Sequence, residues 1–333
     1  MKKNIELLFS LLLISLFLPF CSNESGGEFP DEEQPVIEGD GGYLFAHMTD
    51  KNYGKLFYSI SRDGLRWTTL NDGKIILADY NGHPDICKGG DGNYYMIGVQ
   101  SSDSHYLTLF SSSDLVAWKR NNIERAVFDV SHLGQQNEGY YVGAPKMFYD
   151  EESKQFIITW HASYPGLKDQ VWWEGMRTCF VLTSDFKTFT KAQRLFDFTG
   201  TDADMATIDT IIKKEGGKYY AIIKDERWPD KCRTGKTIRI AISEYLTGPY
   251  ENPGSSITPA WREAPILVKS PDNEDWYLFT EDYQNAQYNL FKSKLLTGAM
   301  WSQIDFTPPV ARHGCIIRID EKKYQTIQKA YNK

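Results

Sequence analysis

The chain has 333 residues and a net charge of −7, and 41% of its residues are hydrophobic. An acidic balance without a long basic cluster speaks against a nucleic-acid partner. Five cysteines with no CxxC pair indicate neither a zinc site nor a disulfide framework.

The first element in chain order is an export signal. Lys2 and Lys3 form a positive head, and Leu7 to Phe20 is an apolar run too short to be a membrane span. Residues 1–20 are therefore expected to be a signal peptide. Cys21 directly follows the apolar run and resembles a bacterial lipoprotein site. The expectation is an exported protein held on the outer membrane by a lipid on Cys21. Residues 21–41, rich in Ser, Gly, Glu, Asp and Pro, read as the lipidated cysteine and a solvated tether. Residues 42–333 are long enough for one large domain, with Cys87, Cys179, Cys232 and Cys315 as small strand residues.

That domain repeats. Each unit has a strand led by an aromatic residue, then a second apolar strand that runs into Ser-x-Asp or a relative, and usually a closing aromatic. The leading aromatics are Tyr43, Tyr94, Phe156, Tyr219 and Trp276, so five units follow one another at intervals of 51 to 63 residues. No unit can bury both faces of its own sheet, and radial stacking solves that. The fold expected is all-β, a five-bladed β-propeller.

A short apolar run precedes four of the aromatics: Pro84-Asp-Ile-Cys, Ala144-Pro-Lys-Met-Phe, Ile208-Asp-Thr-Ile-Ile and Glu263-Ala-Pro-Ile-Leu-Val. The first unit lacks one, and a spare run, Arg312-His-Gly-Cys-Ile-Ile-Arg-Ile, stands at the far end of the chain. The C-terminal strand is therefore expected to complete the N-terminal blade and close the ring. As innermost strands these runs would gather His83, Asp85, Lys146, Asp209, Glu263, Arg312 and His313 at one mouth of the axis. Buried carboxylates are costly without a role. Glycoside hydrolysis supplies one, since it uses a carboxylic acid to protonate the leaving oxygen and a second group to activate water.

The blade pattern, Ile208-Asp-Thr210, Glu263-Ala-Pro265 and Arg312-His-Gly314 resemble family 43 glycoside hydrolases over about residues 42–320. The resemblance implies an Asp base, an Asp that tunes the acid and a Glu acid, matched in order by Asp85, Asp209 and Glu263. It implies an inverting hydrolase acting on arabinofuranosyl, xylosyl or galactosyl substrates of plant or algal origin. No cofactor is required for the chemistry, while a calcium or sodium ion on the axis would involve His313. His83, Lys146 and Arg312 are expected to touch substrate. The first motif departs from the family: counting back from Asp91-Gly-Asn-Tyr-Tyr95 places His83 where the base belongs, with Asp85 two residues on. If 83–85 is strand, both side chains share a face and Asp85 still reaches the axis. The alternative reading is a propeller lipoprotein that binds carbohydrate and has lost turnover.

Overall fold

Short runs of β-branched and aromatic residues, broken by Gly, Asp and Asn, form nineteen strands among the described residues of the computed structural model. It describes residues 41–98, 105–139, 141–298 and 300–332. The expected signal peptide, Cys21 and the tether up to residue 40 lie outside the described residues.

The strands sort into five antiparallel sheets. β1 (Gly42–Met48), β2 (Phe57–Ser61) and β3 (Thr68–Thr69) belong to the first. The second holds β4 (Ile86–Lys88), β5 (Tyr94–Ile97), β6 (Tyr106–Ser112) and β7 (Lys119–Glu124). β8 (Gly143–Asp150), β9 (Gln155–Ala162), β10 (Arg177–Thr183) and β11 (Gln193–Arg194) make the third, with helix α1 (Asp169–Glu174) between β9 and β10. β12 (Thr207–Glu215), β13 (Lys218–Asp225) and β14 (Ile238–Ser243) make the fourth. β15 (Arg262–Lys269), β16 (Trp276–Asp282), β17 (Gln287–Ser293) and β18 (Ser302–Ile304) make the fifth. The last strand, β19 (Arg312–Ile319), returns to the first sheet and pairs with β1, Gly42 opposite Ile319 and Ala46 opposite Cys315. The inner strands touch their neighbours in the cycle β4, β8, β12, β15, β19 and back to β4. This is a five-bladed propeller closed by its C-terminal strand, as the repeat predicts.

The recurring Ser-x-Asp is a turn device. The Ser61 hydroxyl donates to Asp63 and accepts from Gly64 N at 2.9 Å, while Asp63 accepts from Leu65 N and Arg66 N at 2.7 and 2.9 Å. Ser112 with Asp114 and Thr183 with Asp185 repeat the arrangement. Each motif satisfies backbone donors that the end of the strand leaves open.

Two features were not expected. The fourth sheet has three strands, because Pro249, Pro253 and Gly254 leave residues 251–257 beside β14 with scattered hydrogen bonds and no ladder. The chain also ends in helix α2 (Glu321–Tyr331), capped by Asp320, whose carboxylate accepts from Lys323 N at 2.8 Å. Its Tyr324 and Ile327 are buried against the first two blades, and the Arg62 guanidinium lies 3.6 Å from the centre of the Tyr324 ring.

Candidate active site

Three inner strands are interrupted at the same height. The register slips between Gly143 and Lys146, between Ile208 and Ile211, and between Glu263 and Ile266. At these bulges Ala144, Asp209 and Ala264 take positive φ of 40°, 50° and 46°. A bulge frees residues from the ladder and re-aims their side chains, and Asp is among the residues that tolerate this left-handed region. The bulges bring Asp209 and Glu263 together. The Asp209 carboxylate accepts from Ala264 N at 3.0 Å. Acceptor or donor atoms of Asp209, Glu263 and His313 lie within 4.8 Å of one another.

These three groups face a cavity of about 430 Å³, within the roughly 300–1,000 Å³ of small-ligand sites. Tyr53, Tyr141, Trp173, Trp228, Trp261 and Tyr283 line it, and such rings suit the apolar faces of a sugar. His83 lines it from the second blade. Its ring stacks on His313 at 4.4 Å between centroids, and among the described residues its Nδ1 is buried without a hydrogen-bond partner.

The second strand of each blade runs antiparallel to the inner one, so its C-terminal end arrives at the same mouth. His161 stands opposite Gly143, Lys224 opposite Ile208 and Glu281 opposite Glu263. Gly143 is required beside His161, because a Cβ there would lie 2.4 Å from the imidazole. Lys224 Nζ donates to Glu263 Oε2 at 2.7 Å and pairs with Glu226 at 2.8 Å. It also lies 4.5 Å from the centre of the Tyr283 ring. Lys236 bonds the other oxygen of Glu226. His313 Nε2 is 3.0 Å from Glu263 Oε1, and its backbone N–H donates to Glu281 at 2.8 Å.

Charge follows from these contacts. Burial alone pushes the Glu263 carboxyl up, but Lys224 and His313 outweigh it and hold the group well below the ordinary carboxylate range. Burial lowers the His313 imidazole, while Glu263 and Glu281 raise it to a net position above its ordinary value. The same contact therefore favours a carboxylate on Glu263 and an imidazolium on His313. Burial, then His313, Lys146 and His161, hold His83 far below an ordinary histidine, and burial pushes His161 down to about 4. Both are neutral at pH 7.

The expected site residues part company here. His83, Asp209, Glu263 and His313 meet in the cavity. Asp85 faces a separate interior space of about 220 Å³ further along the axis, beside Lys213 and Cys315. Its Oδ2 accepts from Met147 N at 2.7 Å and its Oδ1 lies 3.8 Å from Lys146. Its placement at the mouth is corrected for a simple reason: β4 begins only at Ile86, so His83-Pro84-Asp85 is not strand and the shared-face rule does not hold. Lys146 is buried and turned to Asp85, not to the cavity. Arg312 is bound by Glu281 and Asp50 and does not line the cavity. Trp173 and Trp228 line it, whereas Trp172 packs with Met176 and Ile208.

Lys224, Lys236 and His161 were missed, and Glu226, although it follows an aromatic-led strand toward the rim, reads in the sequence as a solvated turn residue. Antiparallel pairing of each aromatic-led strand points to its last residues. As a cage for calcium or sodium, Asp209, Glu263 and His313 fit poorly. Those ions take mainly oxygen ligands, six to eight for calcium, and this set offers two carboxylates and an imidazole with the Lys224 ammonium already 2.7 Å from one of them.

A five-bladed ring with paired carboxylates in an aromatic-walled axial cavity defines a carbohydrate-active propeller. The chain belongs to the family described as "Probable glycosyl hydrolase domain", related to glycoside hydrolase family 43, which matches residues 39–325. Among curated proteins it is similar to an α-L-arabinofuranosidase of Bifidobacterium longum subsp. longum, 23% identical over 341 residues that cover 84% of this chain. The chain spans 30% of that relative's length. Among solved structures it is similar to an exo-β-1,3-galactanase of Clostridium thermocellum, with 20% identity and a TM-score of 0.49, over 72% of this chain and 50% of that one. A native arabinanase of Bacillus subtilis shows 15% identity and a TM-score of 0.47, over 71% of this chain and 79% of that one.

Proposed function

We propose that the protein is an exo-acting glycoside hydrolase, exported and lipid-anchored through Cys21, that releases arabinofuranosyl, xylosyl or galactosyl units from a plant or algal oligosaccharide or polysaccharide. Membership of the glycosyl hydrolase family supports the chemistry, and the arabinofuranosidase relative favours the first of the three sugars.

The observation that carries the mechanism is the closeness of Asp209 and Glu263, within 4.8 Å. Acid and base of an inverting enzyme stand roughly 6.5–9.5 Å apart to admit a water. These two are too close for that role and serve one side of the bond. Glu263 is the general acid, and Asp209, which accepts from Ala264 N at 3.0 Å, holds the bulge that aims it. In the free protein the proton rests on His313. It passes over 3.0 Å from Nε2 to Glu263 Oε1 and then to the leaving oxygen as the glycosidic bond breaks. Water attacks the anomeric carbon from the opposite face as that bond breaks and gives its proton to the neutral imidazole of His83, with inversion; exchange with solvent then returns a proton to His313.

The test is turnover of aryl arabinofuranosides, xylosides and galactosides by the wild type and Glu263→Gln. Release by the wild type and its loss in the variant support the assignment; equal release by both removes Glu263 as the acid. A second reading, a carbohydrate-binding propeller without turnover, is favoured by one observation, that Asp85 lies outside the cavity. Binding of oligosaccharide with no release from any donor would establish it.

A further inference from the structure

A second concavity of about 720 Å³ adjoins the catalytic cavity. Trp228 lines both. Helix α1 also divides them, with Trp173 facing the catalytic cavity and Glu174 the second. A sugar chain cut beside Glu263 extends beyond the catalytic cavity, and Trp228 is the wall that the larger space shares with it.

The walls of that space carry four cations, Arg177, Arg227, Lys231 and Arg233, against two acids, Glu174 and Asp204. Two of the cations are spent within the fold. Arg227 is gripped by Asp225 at 2.7 Å, Asp202 at 2.8 Å and Asp204 at 3.1 Å, and Lys231 pairs with Glu174 at 2.6 Å. The other two are not. Among the described residues Arg177 Nη1 donates to the carbonyls of Glu174 and Met176, at 3.2 and 2.8 Å, and its guanidinium lies over the Tyr164 ring. Arg233 is exposed, and among the described residues it has no ion-pair partner. Two guanidinium groups without an ion pair among the described residues stand out in one concavity of a chain whose net charge is −7. Their planar forks suit a carboxylate or a sulfate.

We propose that this concavity is the leaving-group side of the substrate site and selects a sugar bearing an anionic group, a carboxylate or a sulfate, through Arg177 and Arg233. The proposal rests on the glycosidase reading of the adjoining cavity. The catalytic cavity handles the unit to be released, and the anionic unit lies beyond Trp228.

Calorimetric binding tests it without turnover. The probes are galactotriose, trigalacturonate and a sulfated galactotriose. The wild type should bind an anionic trimer about tenfold more tightly than the neutral one, since two partly exposed pairs contribute on the order of a factor of three each. That margin should shrink at high salt. Arg233→Ala should lose about threefold for the anionic trimer and nothing for galactotriose, and Arg177→Met with Arg233→Ala should lose the whole margin. Preference for the carboxylate or for the sulfate identifies the group. Equal affinity for neutral and anionic trimers, no binding of any trimer, or an unchanged anionic affinity in Arg233→Ala, whose exposed site leaves the fold intact, would overturn the proposal. Absence of turnover on aryl glycosides with the anionic margin intact would sink the glycosidase reading instead.

Discussion

Replacing Lys224 by Met removes a cation that pairs directly with both the buried Glu226 and the half-buried Glu263. Lys224 is buried, 2.7 Å from Glu263 and 2.8 Å from Glu226. At an effective dielectric constant of about 20, charges at such a separation attract by about 6 kcal/mol before desolvation is set against it. Breaking a buried pair costs about 3–5 kcal/mol net. Glu226 retains Lys236 and Glu263 retains His313, which places the cost near the lower end, about 3 kcal/mol. For a domain of this size that is a fall in Tm of about 5 °C near pH 7. The pH dependence is the sharper readout. In the wild type the Glu263 pKa is depressed, so its contribution to stability is present above its ordinary value of 4.5 and is lost as the pH falls. Without Lys224 two of the influences that lower the Glu263 pKa are gone and burial still raises it, so the pKa moves up and that contribution shrinks. The Tm deficit of Lys224→Met should therefore narrow between pH 7 and pH 4, as read by calorimetry at each pH. A deficit that stays constant over that range would refute the reasoning.

Asp209→Asn keeps an acceptor for Ala264 N and a side chain that tolerates positive φ; Tm should move by less than about 1 kcal/mol equivalent while kcat falls roughly a hundredfold, measured on the best aryl glycoside. Asp85→Asn should behave the other way, lowering Tm by weakening the contact with Lys146 and leaving kcat within about threefold, whereas His83→Ala should lower kcat by at least about tenfold; loss of turnover on Asp85→Asn alone would return the base to Asp85. The imidazoles of His47 and His161 are pushed down to about 4 by burial. Because their folded pKa lies below the unfolded value of 6.5, the unfolded chain binds the extra protons. Each group should then remove about 3 kcal/mol of stability as the pH falls from 6.5 to 4. His47→Gln should flatten the acid decline in Tm.

Much of the ring was legible because its grammar is repeated. The five aromatic-led strands, the Ser-x-Asp turns and the spare Arg312–Ile319 run all have a physical reason to recur, namely strand burial, turn donors and a free edge. The fourth blade and helix α2 were not legible from that grammar, since prolines at 249 and 253 and the Asp320 cap act once each. At the site, Asp209 and Glu263 could be read because a carboxylate inside an apolar inner strand is costly and conspicuous. Asp85 was misplaced because alternation was applied to residues that precede β4. Lys224 escaped because it sits at the end of an apolar strand, where a lysine looks like an ordinary solvated turn residue; only its pairing opposite Ile208 shows that it is buried.

The central claim is that the Asp209–Glu263 pair serves one side of a glycosidic bond while water enters from the other. Proton NMR of the sugar as it is first released from an aryl glycoside reads this directly. The account expects the anomer opposite to that of the substrate from the wild type and no release from Glu263→Gln. A product of retained configuration, or equal release from both proteins, would contradict it.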